Sequence, residues 1–303
     1  MARRRKRKDN KFFRIILLVI TIVLGLYLSK MDATYSIYKV DDVFNEVSSE
    51  LMVSYLDVGQ ADSILIENNG EAMLIDAGNN EDGERLIKYF NQEGITSFKF
   101  LVGTHPHEDH IGGLDDIIDN FEIGTIYMPD IITTTKTFTD VLDAIEKKNL
   151  TYRVPKIQEK FTLGEADVEV IYTGSNRDDL NNSSIVLRLT FGNTSFLFTG
   201  DIEEKTEREI LKMDLNIEAD VLKVSHHGSK NSTTLEFLDK VRPKYAVISV
   251  GSGNNYSHPE DEVLNRLNGS NILVRRTDLE GTIIVNSDGK NISITNISTN
   301  LNG

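Results

Sequence analysis

His105, His107, Asp109 and His110 crowd three imidazoles and a carboxylate into six residues of the run Thr-His-Pro-His-Glu-Asp-His-Ile-Gly-Gly. An imidazole is costly to bury without a partner, and three together require a shared one. Imidazole nitrogen and carboxylate oxygen are donors that zinc, manganese and iron accept, so the implied chemistry is that of a divalent metal. The other three of the six histidines lie in His226-His227-Gly228-Ser229 and Tyr256-Ser257-His258-Pro259, which leaves none for the general surface. The chain has no cysteine. Disulfides and thiolate ligands are therefore excluded, and the ligands must come from His, Asp and Asn.

Spacing divides the donors. His105 and His107 are two residues apart, so an extended segment points both rings to one side. Asp109 and His110 are adjacent and point differently, as ligands of a second metal would. Gly112-Gly113 lets the backbone turn tightly into a helix. Asp201 ends the apolar run Phe196-Leu197-Phe198-Thr199-Gly200, where a carboxylate could bridge two metals. Val221 to Val224 leads into His226 and His227, one completing the second metal and the other orienting it or meeting substrate. Asp57 and Asp76 are strand-end carboxylates that either support the ligands from behind or close their own loops. Tyr256 and His258 share a loop and could bind or protonate a leaving group.

The elements that must hold these residues alternate between strands and helices. Strands are expected over 51–57, 63–67, 72–76, 98–102, 126–128, 168–172, 184–190, 195–199, 221–224, 245–250, 272–274, 282–285 and 292–294. Asn68-Asn69-Gly70 and Gly192-Asn193 are hairpin turns. Helices are expected over 81–91, 115–118, 138–147, 203–213, 234–241 and 261–267. The second half repeats the style of the first. Two mixed sheets with helices outside follow, built as one domain.

The N-terminus is different in kind. Residues 2–11 carry Arg3, Arg4, Arg5, Lys6, Arg7, Lys8 and Lys11, and an apolar run from Phe12 to Leu28 follows. Basic residues before such a run predict a signal anchor with its N-terminus in the cytoplasm and the rest of the chain outside. The expected organisation is a basic tail over 1–11, a membrane-spanning anchor over 12–29, a tether over 30–50 and a folded domain carrying the metal donors over 51–300. The chain would be secreted if the segment were cleaved. Eight basic side chains and one acidic in the first 14 residues carry +7, which leaves −21 for the remainder of a chain whose total is −14. Such an acidic surface disfavours broad electrostatic binding of nucleic acid.

The order of donors, H-x-H-x-D-H, then a strand with Gly-Asp, then a strand with His, resembles the metallo-β-lactamase superfamily. Several runs are similar to the hydrolase domain of ComEC-type competence proteins. These are Leu56 to Ser63, Asn182-Ser183-Ser184-Ile185-Val186-Leu187, Lys223 to Ser229, Tyr256-Ser257-His258-Pro259 and Arg276-Thr277-Asp278-Leu279-Glu280-Gly281. The resemblance spans about 51–290 and implies an αββα sandwich with a dinuclear site at one edge of the sheets. It implies that His105 and His107 bind one metal, Asp109, His110 and His227 the other, and that Asp201 bridges. His226, Asp57, Asp76, Asn182, Ser229 and Tyr256 are implied as supporting or substrate-binding residues. Many superfamily members have another histidine before the Gly-Asp strand, where this chain reads Asn181-Asn182-Ser183-Ser184. The first metal thus has fewer nitrogen donors, a set that suits Mn2+ as well as Zn2+. The competence proteins also carry a multi-span channel that the resemblance does not cover, so DNA uptake is not carried over with the domain.

The expected function is an extracytoplasmic metal-dependent hydrolase. Two divalent ions would acidify a water and polarise the group attacked, Asp109 would orient the nucleophile, and His258 would serve the leaving group. A phosphodiester, DNA or a small one, is the expected substrate. A phosphocholine-type esterase is the rival enzyme, and a metal-stabilised binding module the rival without catalysis. Nothing in the sequence calls for an obligate protein partner.

Overall fold

Alternation of apolar side chains dictates which faces of the strands are covered. The computed structural model describes residues 50–174 and 179–297. The anchor expected at 12–29 lies outside them, and no helix among the described residues is long and apolar enough to cross a membrane.

The first half builds β1 (Leu51–Tyr55), β2 (Ser63–Asn68), β3 (Glu71–Ala77), β4 (Ser97–Val102), β5 (Glu122–Tyr127) and β6 (Tyr152–Arg153). Its helices are α1 (Gly83–Gln92), α2 (Glu108–Ile111), α3 (Leu114–Asn120) and α4 (Lys136–Lys147). The second half builds β7 (Lys160–Leu163), β8 (Ala166–Tyr172), β9 (Val186–Phe191), β10 (Thr194–Phe198), β11 (Val221–Lys223), β12 (Tyr245–Ile248) and β13 (Leu273–Arg276). With these go α5 (Glu204–Lys212), α6 (Leu235–Val241), α7 (Asp261–Gly269) and α8 (Thr277–Glu280), before β14 (Thr282–Ser287) and β15 (Ile292–Ile297).

Strand order is β15-β14-β1-β2-β3-β4-β5-β6 in one sheet and β13-β12-β11-β10-β9-β8-β7 in the other. In both, antiparallel hairpins give way to parallel strands, at β3–β4 and at β10–β11. The expected repetition between halves is therefore present in the pairing. Leu51, Val53, Ile64, Ile66 and Ile75 meet Val168, Leu187, Leu189, Phe196 and Phe198 between the sheets. Leu65, Leu74, Phe98 and Leu101 face the other way, against Phe90, Leu114, Ile117 and Val141 of α1, α3 and α4. Leu197, Leu222, Ala246 and Ile248 cover the outside of the second sheet with Ile210, Phe237, Leu238 and Val263. Burial on both faces explains why these central strands read as continuous apolar runs. The result is the expected αββα sandwich.

The strands at 51–57 and 245–250 end earlier than expected, at Tyr55 and Ile248; the segments beyond them bring Gln60 to the cavity and the Ser249 carbonyl to His227 Nδ1. Two strands escaped expectation: β6 has only two residues, and β7 is an edge strand with polar Lys160 and Thr162. Gly112 and Gly113 make the expected turn from α2 into α3, with ordinary backbone angles (φ −56° and −91°). They are glycines because a Cβ on Gly112 would sit 2.2 Å from the backbone of Asn79, and one on Gly113 would sit 2.6 Å from the Ala77 carbonyl.

Candidate metal centre

Parallel strands deliver their C-terminal ends to one edge, where an open α/β sheet gathers functional groups. β3 carries Asp76 next to its last residue, β4 runs into Thr104 and His105, β10 into Asp201, and β11 into His226 and His227. α2 carries Asp109 and His110 over the same edge.

The histidines divide by which nitrogen is engaged. His110 Nδ1 lies 2.8 Å from Asp76 Oδ2, and the Asp76 carboxylate also accepts from Thr104 N–H (2.8 Å) and Thr104 Oγ1 (2.7 Å). His227 Nδ1 lies 2.9 Å from the Ser249 carbonyl. Both Nε2 atoms are thereby free, and both are buried without a hydrogen-bond partner. They converge on carboxylates. His110 Nε2 is 3.2 Å from Asp201 Oδ2, and His227 Nε2 is 3.3 Å from Asp109 Oδ2 and 3.5 Å from Asp201 Oδ2. Asp109, His110, Asp201 and His227 each place one ligand atom within 4.8 Å of the others.

His105 and His107 come together as their spacing predicts, with Nε2 and Nδ1 3.0 Å apart. His105 Nδ1 faces Thr104 Oγ1 (3.2 Å) and Ser184 Oγ (3.3 Å), which fixes the ring from behind. Among the described residues no third histidine or carboxylate completes a tight donor group with this pair. His226 stays outside the four-donor group. Its Nε2 is 3.8 Å from Asp201, and its Nδ1 is 3.2 Å from Glu203. His226 and His227 both adopt left-handed backbone (φ 49° and 51°), a strained conformation of the kind that concentrates at functional sites.

Charge follows the same plan. Burial opposes ionisation of Asp201, but His110 and His227 outweigh it and hold the carboxyl well below its usual range. Burial likewise opposes charge on His227, and Asp201, Asp62 and Asp109 raise it to about 10. His110 is raised well above its ordinary value, with burial overcome by Asp201 and Asp76. Burial lowers His105 and His107. The carboxylates thus draw positive charge to one point, and imidazole nitrogens stand open beside it. That donor set fits a divalent cation.

Other expected residues fall in different places. Asp76 supports His110 directly. Asp57 does not reach the ligands; its Oδ1 accepts from Gly59 N–H (3.4 Å), closing its own loop. Asn182 does not line the cavity. Its side chain binds Asp179 (2.6 Å) and accepts from Glu203 N–H (3.0 Å), which shapes the turn after Asp201. Ser229 Oγ accepts from Asn231 N–H within its own turn. Tyr256 and His258 do line the cavity, with Gln60, Asn181 and His226.

Sequence reasoning passed over a buried ion pair. Lys223 Nζ lies 2.9 Å from Asp62 Oδ2 with both side chains 1% exposed, and Asp62 Oδ1 is 3.5 Å from His227 Nδ1. It also passed over Asn181, the cavity-lining neighbour of Asn182, and Ser184, whose Oγ accepts from Asp201 N–H (3.1 Å).

Residues 56–252 match the family model of the metallo-beta-lactamase superfamily. The chain belongs to the metallo-β-lactamase superfamily. Its enzymes' dependence on divalent metal agrees with the donor set above, and the chain is a metallo-hydrolase of this superfamily. It is 33% identical to ComE operon protein 3 of Bacillus subtilis over 256 residues, covering 78% of this chain and 33% of that protein. It is 30% identical to Recombination protein 2 of Haemophilus influenzae over 282 residues, covering 90% of this chain and 31% of that protein. It is also 29% identical to Competence protein ComA of Neisseria gonorrhoeae over 240 residues, covering 78% of this chain and 32% of that protein. The expected similarity to competence proteins is thus present, and the chain spans about a third of the length of the curated relatives it matches. CmlA, a diiron β-hydroxylase from Streptomyces venezuelae, shares the fold at a TM-score of 0.50 and 14% identity, covering 82% of this chain and 54% of that one.

Proposed function

We propose that the chain hydrolyses phosphodiesters of nucleotides or single-stranded DNA on the outer side of the membrane. The observation that carries this reading is the pair of buried, partnerless Nε2 atoms on His110 and His227, which face the carboxylates of Asp109 and Asp201 at the wall of one cavity. Asp109, His110, Asp201 and His227 would hold one divalent ion, Zn2+ or Mn2+, and His105 and His107, which lack a close third donor, would hold a second more weakly. Bound there, such ions supply acidity to a water and positive charge to a phosphoryl oxygen.

The chain's own residues do the rest. Asp109 is the least buried of the four donors, with its side chain 32% exposed, and it orients the attacking water by accepting its hydrogen bond. The Gln60 carboxamide oxygen already accepts from Gly251 N–H, which leaves its NH2 to donate to substrate oxygen. Asn181 borders the same cavity. His258 borders the same cavity, its Nδ1 is unpartnered, and it serves the leaving oxygen. The names of the competence relatives and the acidic surface together favour small or single-stranded substrates. The basic block at 3–8 and the apolar run at 12–28 support a place outside the membrane.

Hydrolysis of bis-p-nitrophenyl phosphate by the full chain with Mn2+ or Zn2+ tests the reading. Turnover that Asp109→Ala and His110→Ala both abolish is expected. Absence of turnover with every divalent metal would contradict it.

A further inference from the structure

Tyr256 is 68% exposed, yet its backbone is firmly held. Asn254 fixes the loop with four hydrogen bonds. Its Nδ2 donates to the carbonyls of Gly251 (2.9 Å) and His258 (2.6 Å), and its Oδ1 accepts from the N–H groups of Tyr256 (3.0 Å) and His258 (3.1 Å). Gln60 ties the start of the loop to the opposite wall of the site through Gly251 N–H (3.1 Å). A ladder of rings results. Tyr256 stacks on His258 at 5.8 Å and 27°, and His258 meets His226 edge-on at 5.6 Å and 77°. The ladder runs from solvent towards Asp201.

Tyr256 also stands at a junction. It lines the cavity of about 300 Å³ that contains the metal-type donors, and it lines an adjoining one of about 540 Å³. Among the residues lining the two, Arg85 is the one lysine or arginine, and it is paired with Asp82. Glu81, Glu108 and Asp109 add negative charge to the second cavity. Among the described residues lining these two cavities no basic track follows a polyanion away from the centre, so affinity there beyond the reacting phosphate must come from another source. A fixed aromatic ring with most of its surface open provides one. Stacking a base on such a ring is worth roughly 5- to 150-fold in affinity and requires a base with a free π-face, which a duplex interior does not offer.

We propose that Tyr256 is a stacking subsite for the nucleobase next to the scissile phosphodiester, so that the substrate is an unpaired nucleotide, a dinucleotide or a single-stranded end. This rests on the phosphodiester reading above and deepens it. The competing role of Tyr256 is merely to shield His258 from solvent.

Binding separates the two roles without relying on turnover. Dissociation constants of adenosine 5′-monophosphate and ribose 5-phosphate are compared by calorimetry on the full, metal-loaded chain, for the wild type, Tyr256→Trp and Tyr256→Ala. Tyr256 is exposed, and unchanged thermal melting would confirm that the variants fold. The wild type and Tyr256→Trp should bind the base-bearing ligand at least about 5-fold tighter. Tyr256→Ala should bring the ratio near one. An equal affinity in the wild type, failure to bind either ligand, or a preference retained by Tyr256→Ala would overturn the stacking subsite. Turnover of methyl p-nitrophenyl phosphate by the wild type reports separately on the phosphodiester reading. Its absence would sink that reading and leave a measured base preference in place.

Discussion

Asp76 Oδ2 lies 2.8 Å from His110 Nδ1, with both side chains out of solvent. This contact fixes which nitrogen of His110 faces Asp201, because Nδ1–H donates to Asp76 and Nε2 is left open. Asp76 in turn is locked by two hydrogen bonds from Thr104, the residue before His105. One carboxylate near the end of β3 therefore helps position the first and last donors of the histidine run.

Asp76→Asn should loosen that arrangement. An amide cannot accept from Thr104 and His110 as a carboxylate does, and it does not strengthen imidazole basicity. Loss of such a supporting carboxylate typically costs about 10- to 100-fold in metal affinity. Competition with a coloured chelator measures it. An unchanged affinity would mean that Asp76 serves only the sheet.

Lys223 and Asp62 form a buried pair behind His227. Breaking such a pair on one side costs about 3–5 kcal/mol, whereas replacing both partners with apolar residues of similar volume is often nearly neutral. Lys223→Met alone should lower the melting temperature sharply, and Lys223→Met with Asp62→Leu should recover most of the loss. If the double variant were no more stable than the single one, the pair's charge balance would not be the reason for its presence.

Much of this centre was legible because metal donors at close spacing have few other uses. His105 and His107 met as an extended segment requires, and Asp109 and His110 diverged from them on α2. What escaped was of a different kind. Lys223 sits inside the apolar strand Val221-Leu222-Lys223-Val224 and reads as a solvent-facing position; its partner is far away in sequence, and burial of a lysine is visible only with the fold. Asn181 and Asn182 exchanged roles because a single 3₁₀ turn over 181–183 decides which amide faces the cavity. Asp57 and Asp76 look alike as strand-end carboxylates, and only strand order puts Asp76 beside β4. The short strands β6 and β7 lack the length or apolar alternation that marks a strand. Gly112 and Gly113 form the tight turn that was expected, but the backbone of 77–80 pressed against them is a constraint visible only in the fold.

Gly112→Ala tests that last reading. The new Cβ would meet the backbone of Asn79 and Asn80, which cannot yield as a flexible side chain would. Overpacking of this type costs about 1–3 kcal/mol. Because Gly112 follows α2 directly, metal affinity should fall together with the melting temperature. A variant as stable as the wild type would show that the 79–80 segment gives way freely.

The β14–β15 turn carries a pH signature remote from the metal centre. Asp288 accepts from Asn291 N–H (2.6 Å) and Nδ2 (3.1 Å) and from Lys290 N–H (2.8 Å), and these contacts hold its carboxyl down to about 2. An unfolded aspartate titrates near 4, so the ionised form is favoured by folding. The contribution is complete above that value and is lost as pH falls through about 2. Nuclear magnetic resonance titration of the Asp288 carboxyl should show the low midpoint in the folded chain. A midpoint near 4 would contradict the hydrogen-bond account.

The central claim is that Asp109, His110, Asp201 and His227 share a divalent cation. Diffraction from crystals grown with Mn2+ or Zn2+, recorded at the metal's absorption edge, tests it most directly. An anomalous peak within coordination distance of His110 Nε2 and His227 Nε2 and of both carboxylates is the expected result. No density at this site under saturating metal, whether or not an ion sits elsewhere, would contradict the account.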